Sequence, residues 1–179
     1  MFNKSLFKNI FLYGLIAGLL TLIYCFALAN LGKVPLDGKK APTIIFSMIC
    51  MVFSVKAYRK NNPDLTLHFW EGLVVANLTN LFGASVSAVG LYFWLSGSGS
   101  YVLSTYISES IRTLQIPVVK DGYIKEMGEL SFSQLIDGFR NLLPINIAKD
   151  EITGLKGKIP SGILVSIMIS LYYRRGYLN

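Results

Sequence analysis

The chain has 179 residues, of which 53% are hydrophobic and only 15% charged, and its mean hydropathy is +0.50. A soluble domain gives about a quarter of its residues to charge, so this composition excludes an ordinary soluble enzyme and defines an integral membrane protein. The net charge of +7 is explained by basic residues meeting anionic lipid and calls for no nucleic acid.

In chain order, the first apolar segment covers residues 10–29. Lys4 and Lys8, the apolar run and Ala27-Leu28-Ala29 imitate a secretory signal, but a run of about 20 residues exceeds the usual core of roughly 7 to 15. It is read as the first spanning helix, and Gly14 with Gly18 offers a close-approach surface. A short loop with Lys33, Lys39 and Lys40 leads to a second span at 42–58, followed by Arg59 and Lys60. Cys25 and Cys50 fall inside these spans, where small buried packing residues are expected and no disulfide framework is legible.

The third span, residues 69–95, is framed by Trp70 and Trp94. At helical rise the two indoles are about 36 Å apart, roughly a bilayer with its interfaces, which makes them interface anchors. Gly72, Ala76, Asn80, Ala84 and Ala88 recur every four residues and draw a ridge of small side chains that should face protein. Asn77 and Asn80 need partners at this depth, either on a neighbouring helix or along a polar path. His68 and Glu71, one turn apart at the mouth of the helix, read as an interfacial polar pair; two ligands alone rarely hold zinc.

Residues 96–158 form the long segment between the third and fourth spans, opened by Ser96-Gly97-Ser98-Gly99-Ser100, a composition that interrupts helix. Val102, Leu103, Tyr106, Ile107, Ile111 and Leu114 then recur at helical spacing up to a stop near Pro117. Ser131 with Gln134 spells a capping box, with Leu130 and Leu135 as its staple. The helix so opened presents Phe132, Leu135, Ile136, Phe139, Leu142 and Leu143 as a candidate partner or lipid face and ends at Pro144. A third helical stretch is expected from Asn146 through Ile152 and Leu155 toward Pro160, with a kink there into the last span. The fourth span, 159–173, is short enough to need Lys156 and Lys158 snorkelling to the headgroups.

Basic residues set the orientation. Lys4, Lys8, Lys56, Arg59, Lys60, Arg174 and Arg175 outweigh Lys33, Lys39 and Lys40, while residues 96–158 hold seven basic and seven acidic side chains. The expected topology is a multi-pass protein with both termini cytoplasmic and the long segment extracytoplasmic. The chain is read as one all-α membrane domain over residues 1–179.

No phosphate-binding glycine loop, nucleophile elbow, HExxH or spaced acidic motif occurs, and no catalytic, cofactor-binding or metal residues are assigned. Tyr13-Gly14-Leu15-Ile16-Ala17-Gly18, Val55-Lys56-Ala57-Tyr58-Arg59, Phe69-Trp70-Glu71-Gly72-Leu73 and Tyr172-Tyr173-Arg174-Arg175, with the long segment before the last span, resemble a bacterial family of four-span inner-membrane proteins catalogued as domain of unknown function 4199. Asn62-Pro63-Asp64 stands where that pattern has a glycine-rich turn. The resemblance implies no reaction. It implies a setting beside a membrane glycosyltransferase similar to the dolichyl-phosphate mannosyltransferase type.

The expected function is a non-catalytic accessory or anchoring subunit in the bacterial inner membrane that binds a protein partner, or a further copy of itself, within the lipid bilayer. The alternative is a small transporter or lipid-handling protein using Asn77, Asn80, Glu71 and His68. An enzyme ranks third, with Asp137 or Asp150 as its carboxylate.

Overall fold

The computed structural model describes residues 4–36, 38–61, 67–154 and 158–175. Leu155, Lys156 and Asn62-Pro63-Asp64 lie outside these. Among the described residues the fold is all helical: α1 (Lys4–Asn30), a short 3-10 turn (Gly38–Lys40), α2 (Pro42–Lys60), α3 (Phe69–Ser96), α4 (Ser100–Leu114), α5 (Pro117–Met127), α6 (Glu129–Arg140), α7 (Pro144–Thr153) and α8 (Lys158–Arg175). Among the described residues four stretches are long and apolar enough to cross a bilayer: Leu6–Asn30, Gly38–Lys60, Phe69–Ser96 and Pro144–Arg174. The large apolar side chains left uncovered on them, including Phe11, Ile23, Ile45, Phe93, Leu164 and Met168, suit a hydrocarbon solvent and would be anomalous in water.

α3 is the central post, and α1, α2, α7 and α8 pack around it. Its ridge is buried along its whole length, at Gly72, Ala76, Asn80, Ala84 and Ala88. Against α1 the approach is closest where the GxxxG pair lies: a methyl group on Gly18 would fall 2.6 Å from the Val86 Cβ and 2.9 Å from the Gly83 carbonyl oxygen. Where lipid replaces water, such contact between backbones is what holds helices together. Phe11 meets Phe82 edge to face at 4.7 Å, and Phe26 meets Trp94 the same way at 4.6 Å.

Two apolar clusters mark the ends of the bundle. One joins Leu6, Ile10, Tyr58, Leu67, Val75 and Ile169, with Tyr173 against it, so α1 begins and α8 ends on the same side. The other joins Val34, Leu36, Leu95, Val102, Leu103 and Ile147. α4, α5 and α6 extend beyond this second end as a cap around a third, small cluster of Leu114, Phe132 and Ile136.

Several expectations change here. α4 ends at Leu114, near Pro117 as expected, and Pro117 in addition opens a further helix, because its ring sits at the N-terminal turn of α5, where a missing N–H costs nothing. The Ser131–Gln134 capping box does not form: α6 starts two residues earlier at Glu129, with Gly128 at φ +83° as its cap, and Leu130 is 74% exposed instead of stapled. The largest difference concerns the fourth crossing. The helix expected from Asn146 is present as α7, and it packs on α3, sharing the second cluster through Ile147. The stretch long and apolar enough to cross therefore runs over Pro144–Arg174, beyond the span expected at 159–173.

Candidate functional site

The site is built where α7 and α8 meet. α8 runs antiparallel to α3: a methyl on Gly72 would lie 3.1 Å from Ser170 Oγ, Asn77 Nδ2 donates to Ser166 Oγ at 2.8 Å, and Asn80 Nδ2 donates to the Lys158 carbonyl at 2.7 Å. Gly162 of α8 thus stands beside Asn80, near the middle of α3, and Lys158 lies one turn nearer the Trp94 end. α7 covers the upper half, and its Glu151 faces Ser87, about 10 Å above Asn80 along α3 at 1.5 Å per residue.

Side chains on a helix tilt toward its N-terminus, so Lys158, at the start of α8, reaches upward. It does not snorkel to a headgroup, as its sequence position had suggested, and is only 3% exposed. All three of its N–H bonds are used: Nζ donates to Thr21 Oγ1 of α1 at 2.8 Å, to Ser87 Oγ of α3 at 3.0 Å and to Glu151 Oε1 of α7 at 3.1 Å. The second Glu151 oxygen accepts from Lys40 Nζ, in the loop after α1, at 2.8 Å. Glu151 is 2% exposed and Lys40 21%. One carboxylate therefore ties together the α1–α2 loop, α3, α7 and α8.

Helix dipoles give this pair no help. Glu151 is in the last turn of α7 and Lys158 is the first residue of α8, the ends that disfavour an anion and a cation respectively. Its stability rests on mutual attraction and saturated hydrogen bonding, the condition under which charge survives in a low-dielectric interior. The hydroxyls comply with one proton each. Thr21 gives its own to the Ala17 carbonyl while accepting from Lys158. The Ser87 proton lies between the Ala84 carbonyl at 3.0 Å and Glu151 Oε1 at 3.1 Å.

The residues singled out from sequence are placed as follows. Asn77 and Asn80 both bond to α8. His68 and Glu71 form a reciprocal cap at the start of α3 through the backbone, the His68 N–H donating to Glu71 Oε2 at 3.1 Å, and lie at the far end from Glu151. Trp70 is exposed at that end, and Trp94 packs on Phe26 at the other. Phe132 and Ile136 are buried inside the cap with Leu135 and Phe139 packed against them, Leu142 joins the second cluster, and Leu143 is exposed. Asp137 pairs with Arg140 in solvent at 3.3 Å, and Asp150 is exposed. Among the described residues no three His, Cys, Asp or Glu side chains gather into a metal-binding group.

The pairing of Glu151 with Lys158 is not legible locally, because Glu151 reads as one charge on an expected helix and Lys158 as a headgroup-seeking lysine at the start of the fourth span. A signal existed in the spacing: Ile147, Ala148 and Glu151 share one helical face, and Lys158, Gly162, Ser166 and Ser170 recur every four residues as the small, polar ridge that meets the ridge of α3.

A helical bundle with four crossings and a charged pair inside it defines a multi-pass membrane protein. The chain belongs to the family described as "Protein of unknown function (DUF4199)", whose model matches residues 12–175. No curated protein and no solved structure matches it.

Proposed function

We propose that the protein is a non-catalytic membrane subunit that anchors or positions a partner protein. The observation that carries this reading is that the polar groups of the third span are engaged within the bundle: the Nδ2 groups of Asn77 and Asn80 and the hydroxyls of Thr79 and Ser87 all bond to neighbouring helices or to their own backbone. The crevice that reaches Lys158 from α2, lined by Ser47, Met51, Asn80 and Gly162 among others, leaves no room for a water molecule. Surfaces remain as the working parts. On the cap these are Val118, Leu130, Ile116 and Leu143, which take the place of the half-consumed Phe132 face.

The partner that fits the family resemblance is a membrane glycosyltransferase of the lipid-linked-sugar type, and the setting is a bacterial inner membrane. The end of the bundle bearing Lys8, Lys56, Arg59, Lys60 and Arg174 is taken as cytoplasmic by the positive-inside rule, which puts the cap outside. Extraction in mild detergent followed by affinity purification and mass spectrometry tests the proposal. A stoichiometric membrane-protein partner that is lost when Val118 and Leu130 are both changed to Glu supports it; recovery of the chain alone overturns it.

A second reading, a small transporter or lipid handler, is favoured by the fourth crossing in two pieces with ionised groups at the join, an arrangement that also serves ion and substrate sites. Replacing both Asn77 and Asn80 with Leu separates the two: loss of transport with the fold intact supports transport, and loss of assembly assigns both amides to packing.

A further inference from the structure

We propose that Lys39 and Lys40 bind the phosphate of an anionic phospholipid in the leaflet at the Trp94 end of the bundle. The starting point is charge. Glu151 holds two ammonium groups, one on each oxygen, so one negative charge is shared by two positive ones. The loop that supplies Lys40 adds Lys33 and Lys39 against a single acid, Asp37. A positive excess therefore remains at this end, beside hydrocarbon that screens it poorly.

The loop holds that excess in a fixed place. The N–H groups of Leu31, Gly32 and Lys33 bond to carbonyls of α1 at 3.0 to 3.1 Å, Val34, Pro35 and Leu36 are buried, and the Tyr24 hydroxyl donates to the Lys39 carbonyl at 3.2 Å. Lys158 spends every N–H bond inside the bundle, whereas Lys40 spends one on Glu151 and, among the described residues, keeps two for an outside acceptor. Lys39 beside it is exposed. Depth matches a phosphate as well. The hydroxyls of Ser54 and Thr79 meet at 2.8 Å, and counting equally far up the antiparallel helices α2 and α3 from there brings Pro42 level with Leu91, roughly 5 Å below Trp94. Lys39 and Lys40 precede Pro42 and so stand at the headgroup level that Trp94 marks. Beneath them Tyr24 and Phe46 meet edge to face at 5.9 Å, with Ile45 and Ile49 exposed on the same helix as Phe46. This apolar bed suits an acyl chain, and it favours a phosphate carried on a lipid over the same anion free in water.

The test uses the full chain in phosphatidylcholine bilayers, with one tryptophan introduced by Ile45→Trp in a Trp70→Phe, Trp94→Phe background and brominated phosphatidylglycerol as its quencher. Ile45 is 56% exposed in the first turns of α2, so quenching reports the lipid that lies against this loop. Phosphatidylglycerol should be preferred over phosphatidylcholine by roughly fivefold for each lysine engaged. The double variant Lys39→Gln, Lys40→Gln should bring the two lipids to parity, and Lys33→Gln should change little. If loss of helical circular dichroism shows that Lys40→Gln does not fold, Lys39→Gln, which keeps the Lys40–Glu151 bridge, should still lower the preference by roughly fivefold. Inorganic phosphate added at constant ionic strength should leave the quenching unchanged; displacement of the lipid by it would assign the site to the free anion and overturn the proposal. No preference in the parent protein, an undiminished preference in folded Lys39→Gln, or an equal loss in Lys33→Gln, the mark of diffuse surface charge, also overturns it.

Discussion

The bundle and the cap are made of the same element, the amphipathic or apolar helix, yet they are held by opposite means. In the bundle, large side chains such as Phe11, Ile23 and Leu164 point outward, while glycine, alanine, serine and asparagine fill the seams. In the cap the arrangement reverts to that of a water-soluble protein, with Leu114, Phe132 and Ile136 inside and charges such as Lys120, Glu126 and Arg140 outside. Lipid tails give apolar residues no reason to hide, so contact between backbones and hydrogen bonding carry the association of the spans; water restores the hydrophobic effect for α4 to α6. The contrast teaches which side chains each region can spare.

The largest expected effect is at Glu151. Glu151→Leu leaves Lys158 buried without its counter-ion and should destabilise the bundle by about 3–5 kcal/mol, read as a shifted unfolding midpoint in detergent. Adding Lys158→Met should recover much of that loss, since the uncompensated charge is gone. A double variant as unstable as the single one would show that the seam depends on something other than charge balance.

Gly18→Leu comes next. The added side chain meets Val86 and the Gly83 carbonyl, so α1 has to move off α3, at a cost of about 1–3 kcal/mol on the same unfolding curve. No change there would mean that α1 and α3 can slide apart freely, and the seam argument fails. Asn77→Leu should cost less, about 0.6–1.5 kcal/mol, the net worth of its bond to Ser166 in a half-buried position.

The smallest effect on the bundle is expected from the cap. Phe132→Ala should move the bundle's unfolding midpoint by no more than about 0.5 kcal/mol, while amide exchange in α5 and α6 rises sharply as their cluster opens. α5 has no buried residue of its own, which makes it the first helix to lose protection. If bundle and cap instead weaken together, the two regions are one cooperative unit and the comparison collapses.

Much of the bundle was legible in the chain because membrane packing writes itself into single helices. Trp70 and Trp94 fixed the length of α3, and the every-fourth-residue run from Gly72 to Ala88 named its buried face before any neighbour was known. The helices of the cap were harder to delimit, since the Ser131–Gln134 pattern carries two meanings between which tertiary packing chooses, and Pro117 marks both a stop and a start. The charged site was the least legible. Lys40 and Glu151 are separated by 111 residues and Lys158 and Thr21 by 137, and no local pattern records that they converge. Only the company each keeps, Glu151 on a face with Ile147 and Ala148, hints that the charge is turned inward.

The position of Lys158 also bears on how the molecule is made. Its ammonium group has no partner within α8, and a bare lysine near the core of a bilayer opposes insertion by about 2.5–3.5 kcal/mol. The acceptors that relieve this are Thr21 and Ser87, on segments synthesised far earlier, together with Glu151 just upstream. The last crossing therefore gains its full stability only once those earlier segments stand beside it, which couples its settling in the membrane to the assembly of the rest.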